Sequence, residues 1–144
     1  MRHLVPGKLI VLSILILSGC SSPQSVTSNP ADRLHYDGVL HISAAQADKI
    51  IIDSIHQGWS DKSPRKIDAN TIGYDFKVWS GSNHDTVFAQ AISRGHNAYI
   101  FSVSNAGNAP QAGAPARDKL LKLLADNARK LILASSPAKS QMSQ

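Results

Sequence analysis

The chain has 144 residues, of which 15 are Lys or Arg, ten are acidic and one is a cysteine. With one cysteine the chain forms no internal disulfide, and its length suits a single small domain. The net charge of +5 comes with few aromatic residues and with no basic cluster before the last predicted helix, which argues against a nucleic-acid partner.

The first 19 residues are predicted to be a signal peptide. Arg2 and Lys8 precede a largely apolar run from residue 9 to residue 17, and small residues follow that run. A basic start, about ten apolar residues and a small-residue exit are typical of a secretory signal, whereas a membrane-spanning helix needs ~20 apolar residues. Removal of this segment leaves 13 Lys and Arg against ten Asp and lowers the net charge to +3.

The only cysteine follows the apolar run directly, in the sequence Leu17, Ser18, Gly19, Cys20. This pattern resembles the lipobox of bacterial lipoproteins. The resemblance implies cleavage before Cys20, a diacylglycerol on its sulfur and an acyl chain on its amino group. In Gram-negative lipoproteins an aspartate after the cysteine favours the inner membrane, so Ser21 implies the outer membrane, with the domain facing the periplasm. The alternative is a short uncleaved anchor in which Cys20 is an ordinary buried thiol.

Three further segments are predicted after the signal peptide. Residues 20 to 32 are rich in Ser, Pro and Asn without apolar periodicity, which indicates a flexible tether behind the lipidated cysteine. Residues 33 to 134 are predicted to form a single folded domain, and residues 135 to 144 a polar tail.

The domain begins with a strand and a helix. Apolar residues alternate in the segment 34–42, which predicts a strand. Ser43 and Gln46 then form a capping-box pattern, which predicts a helix from Ala44. Gly58 suits a left-handed end to that helix.

A polar turn, "DKSPRK", precedes the second half of the domain. Three strands are predicted from alternating apolar residues, joined by the short loops "SGSNHD" and "SRGHN": 72–79, 86–92 and 98–104. The Ala-, Gly-, Asn- and Pro-rich segment 105–115 is predicted to be a loop. An amphipathic helix is predicted over 117–133, with Pro115 in its first turn.

The order β-α-β-β-β-α predicts an α+β domain. Two amphipathic helices on one face of a mostly antiparallel four-stranded sheet bury every apolar stripe found in the sequence. If the first two strands are parallel neighbours, their crossover through the first helix is expected to be right-handed.

A candidate interface lies on the polar side of the first two strands. Six side chains share that side by parity: His35, Asp37, His41, Asp75, Lys77 and Trp79. If these strands are neighbours the six form one patch. It is either a solvated outer face, with Trp79 covering the sheet edge, or an interface in which an exposed Trp79 anchors a partner. His35 and His41 are ~20 Å apart along a strand, so a shared metal is not expected, and neither is a cofactor.

Three other polar residues could line a cleft. Asp48 falls within the apolar arc of the first helix, where it either projects past the sheet edge into water or lines a cleft with a raised pKa. His84 and Asp85 are adjacent in a predicted loop and could act as an acid and its orienting carboxylate. No partner nucleophile is identifiable in the sequence.

The predicted function is therefore that of a non-enzymatic lipoprotein of the cell envelope. It is anchored to the membrane through Cys20 and binds another envelope protein through the surface around Trp79. The alternative is a periplasmic module that binds a small ligand, or a hydrolase, with a cleft near Asp48, His84 and Asp85.

Overall fold

The computed structural model describes residues 33–135. The predicted signal peptide, the predicted lipidation site Cys20, the predicted tether up to residue 32 and all but the first residue of the predicted tail 135–144 lie outside the described residues. Within them, neither helix combines the length and the apolar character needed to cross a membrane.

Five strands and two helices make up the described part of the chain: β1 Arg33–His41, α1 Ala44–Gly58, β2 Arg65–Lys66, β3 Gly73–Ser80, β4 Asn83–Ser93, β5 Ala98–Gly107 and α2 Pro110–Ser135. The strands form one sheet in the order β1-β5-β4-β3-β2, and every neighbouring pair is antiparallel. The predicted α+β class is confirmed. The predicted number of four strands is wrong, because the polar turn contains the two-residue strand β2.

The first strand lies at an edge of the sheet and pairs with the last strand, β5. Two strands, β5 and β4, therefore separate β1 from β3. A parallel neighbour relation between β1 and β3, which would have required a right-handed crossover, does not occur.

The start of α1 is confirmed and its end is different from the prediction. The Ser43 side chain accepts from the Gln46 backbone N–H, and the Gln46 side chain accepts from the Ser43 N–H. Gly58 is the last helical residue, and the cap is Trp59 with a φ of −148°. A Cβ on Gly58 would lie 2.9 Å from Leu123 Cδ1, so the glycine permits close approach of α2 rather than a left-handed stop.

The hairpin between β3 and β4 is tighter than predicted. Ser80 pairs with Asn83, so the turn contains only Gly81 and Ser82. Gly81 has a φ of +61°, and a positive φ at the first of two turn residues is the pattern of a type II′ turn.

The second helix starts seven residues earlier than predicted. Residues 105–107 belong to β5 and α2 begins at Pro110, so the predicted loop over 105–115 is wrong. Pro115 lies inside the helix rather than in its first turn. Its missing N–H leaves the carbonyl of Gln111 without a helical donor, and both residues are exposed, so water can replace that bond.

Both helices pack on the same face of the sheet, as predicted. The side chains buried between the two layers come from α1, α2 and the inward positions of the strands. The largest fully buried apolar ones are Ile51, Ile55, Val87, Phe101, Val103, Leu120 and Leu124. Burial of one such side chain contributes ~1.5–3 kcal/mol. The opposite face of the sheet carries neither helix.

Candidate interaction surface

The sheet face away from the helices is called the open face. Strand side chains alternate between the two faces, so the residues between the core positions of β3, β4 and β5 point to it. The open face comprises Asp75, Lys77, Trp79, His84, Thr86, Phe88, Gln90, Ile92, Ile100, Ser102, Ser104 and Ala106. It therefore mixes charged, polar and aromatic side chains and carries no described helix.

Trp79 is the most prominent side chain of the open face. It is 56% exposed, and its ring lies 4.7 Å, centroid to centroid, from the imidazole of His84 on the neighbouring strand. The register places these two residues directly opposite each other near the hairpin turn. The tryptophan is thus held against a second ring while most of its surface faces outward.

Asp75 forms a bidentate ion pair with Arg65 on this face. It is only 7% exposed, and Arg65 donates to both of its carboxylate oxygens, from Nε at 3.2 Å and from Nη2 at 2.9 Å. The hydrogen bonds to Asp75 raise the pKa of Arg65. The pair holds β2 against β3, so Asp75, which was expected to be available to a partner, is occupied by Arg65.

A shallow cavity of about 310 Å³ lies beside Trp79, between the segment that leads into β2 and the outer side of β3. We call it the Trp79 pocket, and it is lined by Lys62, Ser63, Arg65, Asp75, Phe76, Lys77 and Trp79. Lys62 contacts Asp61 at 2.9 Å and lowers the pKa of that carboxyl through this hydrogen bond. Lys77 makes no ion pair within residues 33–135.

The candidate residues of β1 lie at the opposite edge of the sheet from Trp79. With strands 4.7–4.9 Å apart, β1 lies about 14 Å from β3, so the predicted contact between the two groups is wrong. His35 faces Ser102 of β5 in the register, and His41 faces Ala98. Within the described residues, no group of three or more His, Cys, Asp or Glu side chains is placed to hold a metal ion.

Asp48 has a partner that the sequence did not reveal. The Tyr74 hydroxyl donates to Asp48 Oδ1 at 3.0 Å. Burial raises the pKa of Tyr74, and the bond to Asp48 adds to this effect. The half-buried carboxylate thus caps a tyrosine at the edge of the core, instead of projecting freely into water, and it lines none of the described cavities.

His84 and Asp85 point to opposite faces of β4, so they do not form an acid and its orienting carboxylate. Asp85 is 1% exposed and accepts from Asn105 Nδ2 and from the Ala109 N–H, both at 2.8 Å. A carboxylate at this place stabilises the first turn of α2, because helix N-termini carry free N–H groups and partial positive charge.

The predicted cleft is not assembled. Asp48 bonds Tyr74 at one end of β3, and His84 lies opposite Trp79, five residues away along the same strand, or ~17 Å. Asp85 is buried on the helix side. The three residues therefore share no pocket.

Comparison of the chain with protein-family models, with curated proteins and with solved structures gave no match. Within residues 33–135, the main features of this surface are an exposed tryptophan, a lysine without an ion pair and a sheet face that neither helix covers.

Proposed function

We propose that the chain is a lipoprotein of the cell envelope, lipid-anchored at Cys20 in the outer membrane, whose domain binds another envelope protein. The binding surface is the open face around Trp79, and the domain acts as a scaffold rather than as an enzyme. The proposal joins the lipobox-like sequence at Cys20 to the geometry of the sheet.

The observation that carries the proposal is the exposure of Trp79 on a sheet face that neither α1 nor α2 covers. Exposing a large aromatic ring to water is unfavourable, and a partner that covers the ring recovers that free energy. Tryptophan is also among the residues that contribute most to binding in measured interfaces. Lys77 and Thr86, which pair across β3 and β4, supply polar groups next to the ring.

The residues that favoured a catalytic cleft have structural partners. Asp85 bonds Asn105 and the start of α2, and Asp48 bonds Tyr74. Asp85 is 1% exposed and so out of reach of a substrate, and Asp48 lines none of the described cavities. This geometry supports a protein-binding role for the domain in preference to a role that needs a cleft.

The interaction is tested by photocrosslinking in intact cells. A benzophenone amino acid at position 86 lies on the open face, whereas the same group at position 130 lies on the exposed side of α2 and serves as the matched control. We expect a product of one defined mass from position 86 only, reduced about fivefold or more by Trp79→Ala. The same product from both positions, or a yield unchanged by Trp79→Ala, would contradict the proposed surface.

The anchor is tested separately by metabolic labelling with a palmitate analogue. We expect the label on the wild-type chain and none on Cys20→Ser. Equal labelling of both chains would refute the anchor and would leave the argument about the open face intact.

A further inference from the structure

We propose that the Trp79 pocket binds an extended acidic segment of the partner polypeptide, which adds to the free edge of β3 as a further strand. This inference rests on the proposed function and specifies the chemistry of the partner. Three features of the domain support it: the pairing of β3, the shape of the outer edge of β3 and the charges around that edge.

Within the described part of the chain, half of β3 has no neighbouring strand on its outer side. The strand β2 has two residues and pairs only with Tyr74 and Asp75. Beyond them, the outer edge at Lys77 and Trp79 has no paired strand among residues 33–135.

The backbone of this edge has the pattern that an added strand requires. Ser80 pairs with Asn83 at the two-residue turn, so alternate residues of β3 counted back from Ser80 bond to β4. On the other side, the Gly73 carbonyl accepts from the Ile67 N–H at 3.1 Å. By the same alternation, the backbone N–H and C=O groups of Lys77 and Trp79 point away from β4 and are available for pairing.

The cavity lies along the same edge. The segment before β2 runs apart from β3 until pairing begins at Arg65. The space of about 310 Å³ opens between Ser63 of this segment and the side chains of Lys77 and Trp79. This volume is at the lower end of the range of ligand sites, ~300–1,000 Å³. It accommodates part of a peptide whose remainder continues along the free edge of β3.

The charges around the pocket favour a carboxylate. Three cations line it, namely Lys62, Arg65 and Lys77, against one carboxylate, Asp75. Arg65 donates to both oxygens of Asp75, so this pair is neutral overall. Lys62 is paired in the same way with Asp61, so the net charge around the pocket is the single positive charge of Lys77.

The register of an added strand predicts a sequence signature. Its residue opposite Lys77 shares the open face with that lysine, and an opposite charge is favoured there. Its residue opposite Trp79 lies two positions away on the same face, where aromatic or β-branched side chains pack well. The preferred ligand therefore has an Asp or Glu two residues from an aromatic or β-branched residue. Recognition by strand addition obtains affinity from the backbone and specificity from alternate side chains.

The test is a selection from a library of random eight-residue peptides on the full chain in detergent, with Lys77→Glu as the matched variant. We expect enrichment of acidic peptides with the signature on the wild type, and loss of these peptides on Lys77→Glu. Enrichment of basic or uncharged peptides, or no enrichment at all, would overturn the inference.

An enriched peptide is then measured by fluorescence anisotropy. We expect Lys77→Gln to weaken binding about threefold to fivefold, whereas Lys130→Gln, which removes an exposed cation of α2, leaves it unchanged. Methylation of the peptide nitrogens that pair with β3 should abolish binding. Retained binding after methylation would contradict strand addition. If the wild type binds phosphatidylglycerol vesicles but no peptide, and Lys77→Gln abolishes the vesicle binding, the pocket is assigned to lipid instead.

The failures of the two proposals can be told apart. If position 86 yields the Trp79-dependent crosslink but no acidic peptide is enriched, the open face binds a partner by other chemistry and only this inference fails. If the crosslink is also absent, the proposed function fails with it.

Discussion

Replacement of Gly113 by alanine tests the junction between β4 and α2. Gly113 is buried in the first turns of α2, and a Cβ built on it would lie 2.6 Å from Asp85 Cγ and 2.7 Å from Asp85 Cβ. These distances are shorter than real carbon contacts. Asp85 has little room to move, since it is 1% exposed and bonds both Asn105 and Ala109.

Two opposing effects decide the sign of this substitution. In a helix interior alanine is favoured over glycine by about 1 kcal/mol. Displacement of the buried Asp85 carboxylate instead weakens two charged hydrogen bonds, each worth ~1.5–3 kcal/mol. The contacts therefore outweigh the propensity, and we expect Gly113→Ala to destabilise the domain by roughly 2–4 kcal/mol. A domain of about 100 residues has a free energy of unfolding of ~5–15 kcal/mol, so the variant should still fold.

The assay is urea denaturation of the purified protein, followed by circular dichroism, with the variant expected to lower the midpoint at an unchanged m-value. Ala114→Gly, at the next helical position, is the matched control and should cost about 1 kcal/mol from propensity alone. The substitution is repeated in an Asp85→Ala background, where the carboxyl group is absent and only the Cβ contact at 2.7 Å remains, so Gly113→Ala should cost less than in the wild type. A stabilising effect in the wild type, or an equal cost in both backgrounds, would refute the reasoning.

Three further substitutions follow from the described contacts. Tyr74→Phe should cost about 1 kcal/mol through the lost bond to Asp48. Because the pKa of Tyr74 is raised in the fold, the wild type loses stability as the pH rises above the ordinary pKa of 10.0. The difference in stability between the wild type and Tyr74→Phe should therefore shrink at high pH. Ser43→Ala should cost ~0.5–2 kcal/mol in urea denaturation, because the helix cap is lost. Arg65→Gln should increase hydrogen exchange of the β2 amides, because Asp75 loses its bidentate partner.

Each of these substitutions has a control or a contradicting result. Tyr99→Phe removes a hydroxyl that has no hydrogen bond within residues 33–135 and should have a smaller effect than Tyr74→Phe. A cost of Tyr74→Phe that stays constant to pH 12 would contradict the cause given for the shift. Unchanged stability of Ser43→Ala, or unchanged exchange in β2 after Arg65→Gln, would mean that these bonds are not significant in solution.

Local sequence patterns predicted the strands and the helix start that depend on residues close together in the chain. The alternation in β1 and β3 and the capping box of α1 are set by residues a few positions apart, and these predictions were confirmed apart from small changes at the ends. The two-residue strand β2 was missed because it has no alternating pattern. Its place depends on the Arg65–Asp75 pair, whose members are ten residues apart in the chain.

Distant contacts explain the two larger errors. The segment before Pro115 has the composition of a loop, yet the Ala109 N–H is bound by Asp85, which lies 24 residues earlier, and a helix begins there. The sheet order likewise depends on the pairing of β1 with β5, which no local pattern specifies. This order separated His35, Asp37 and His41 from Trp79.

The two edges of the sheet differ in a way that favours β3 as the receptive one. The register of β1 shifts between Tyr36 and Leu40, and such a bulge blunts an edge against pairing with other chains. In contrast, β3 pairs with β4 in continuous register over all eight of its residues, so its free half has regular strand geometry. A regular edge beside an exposed tryptophan and an unpaired lysine can accept an added strand without rearrangement of the core. The most direct consequence concerns Lys77 and Trp79, whose amide protons should exchange more slowly once a peptide with the acidic signature is bound.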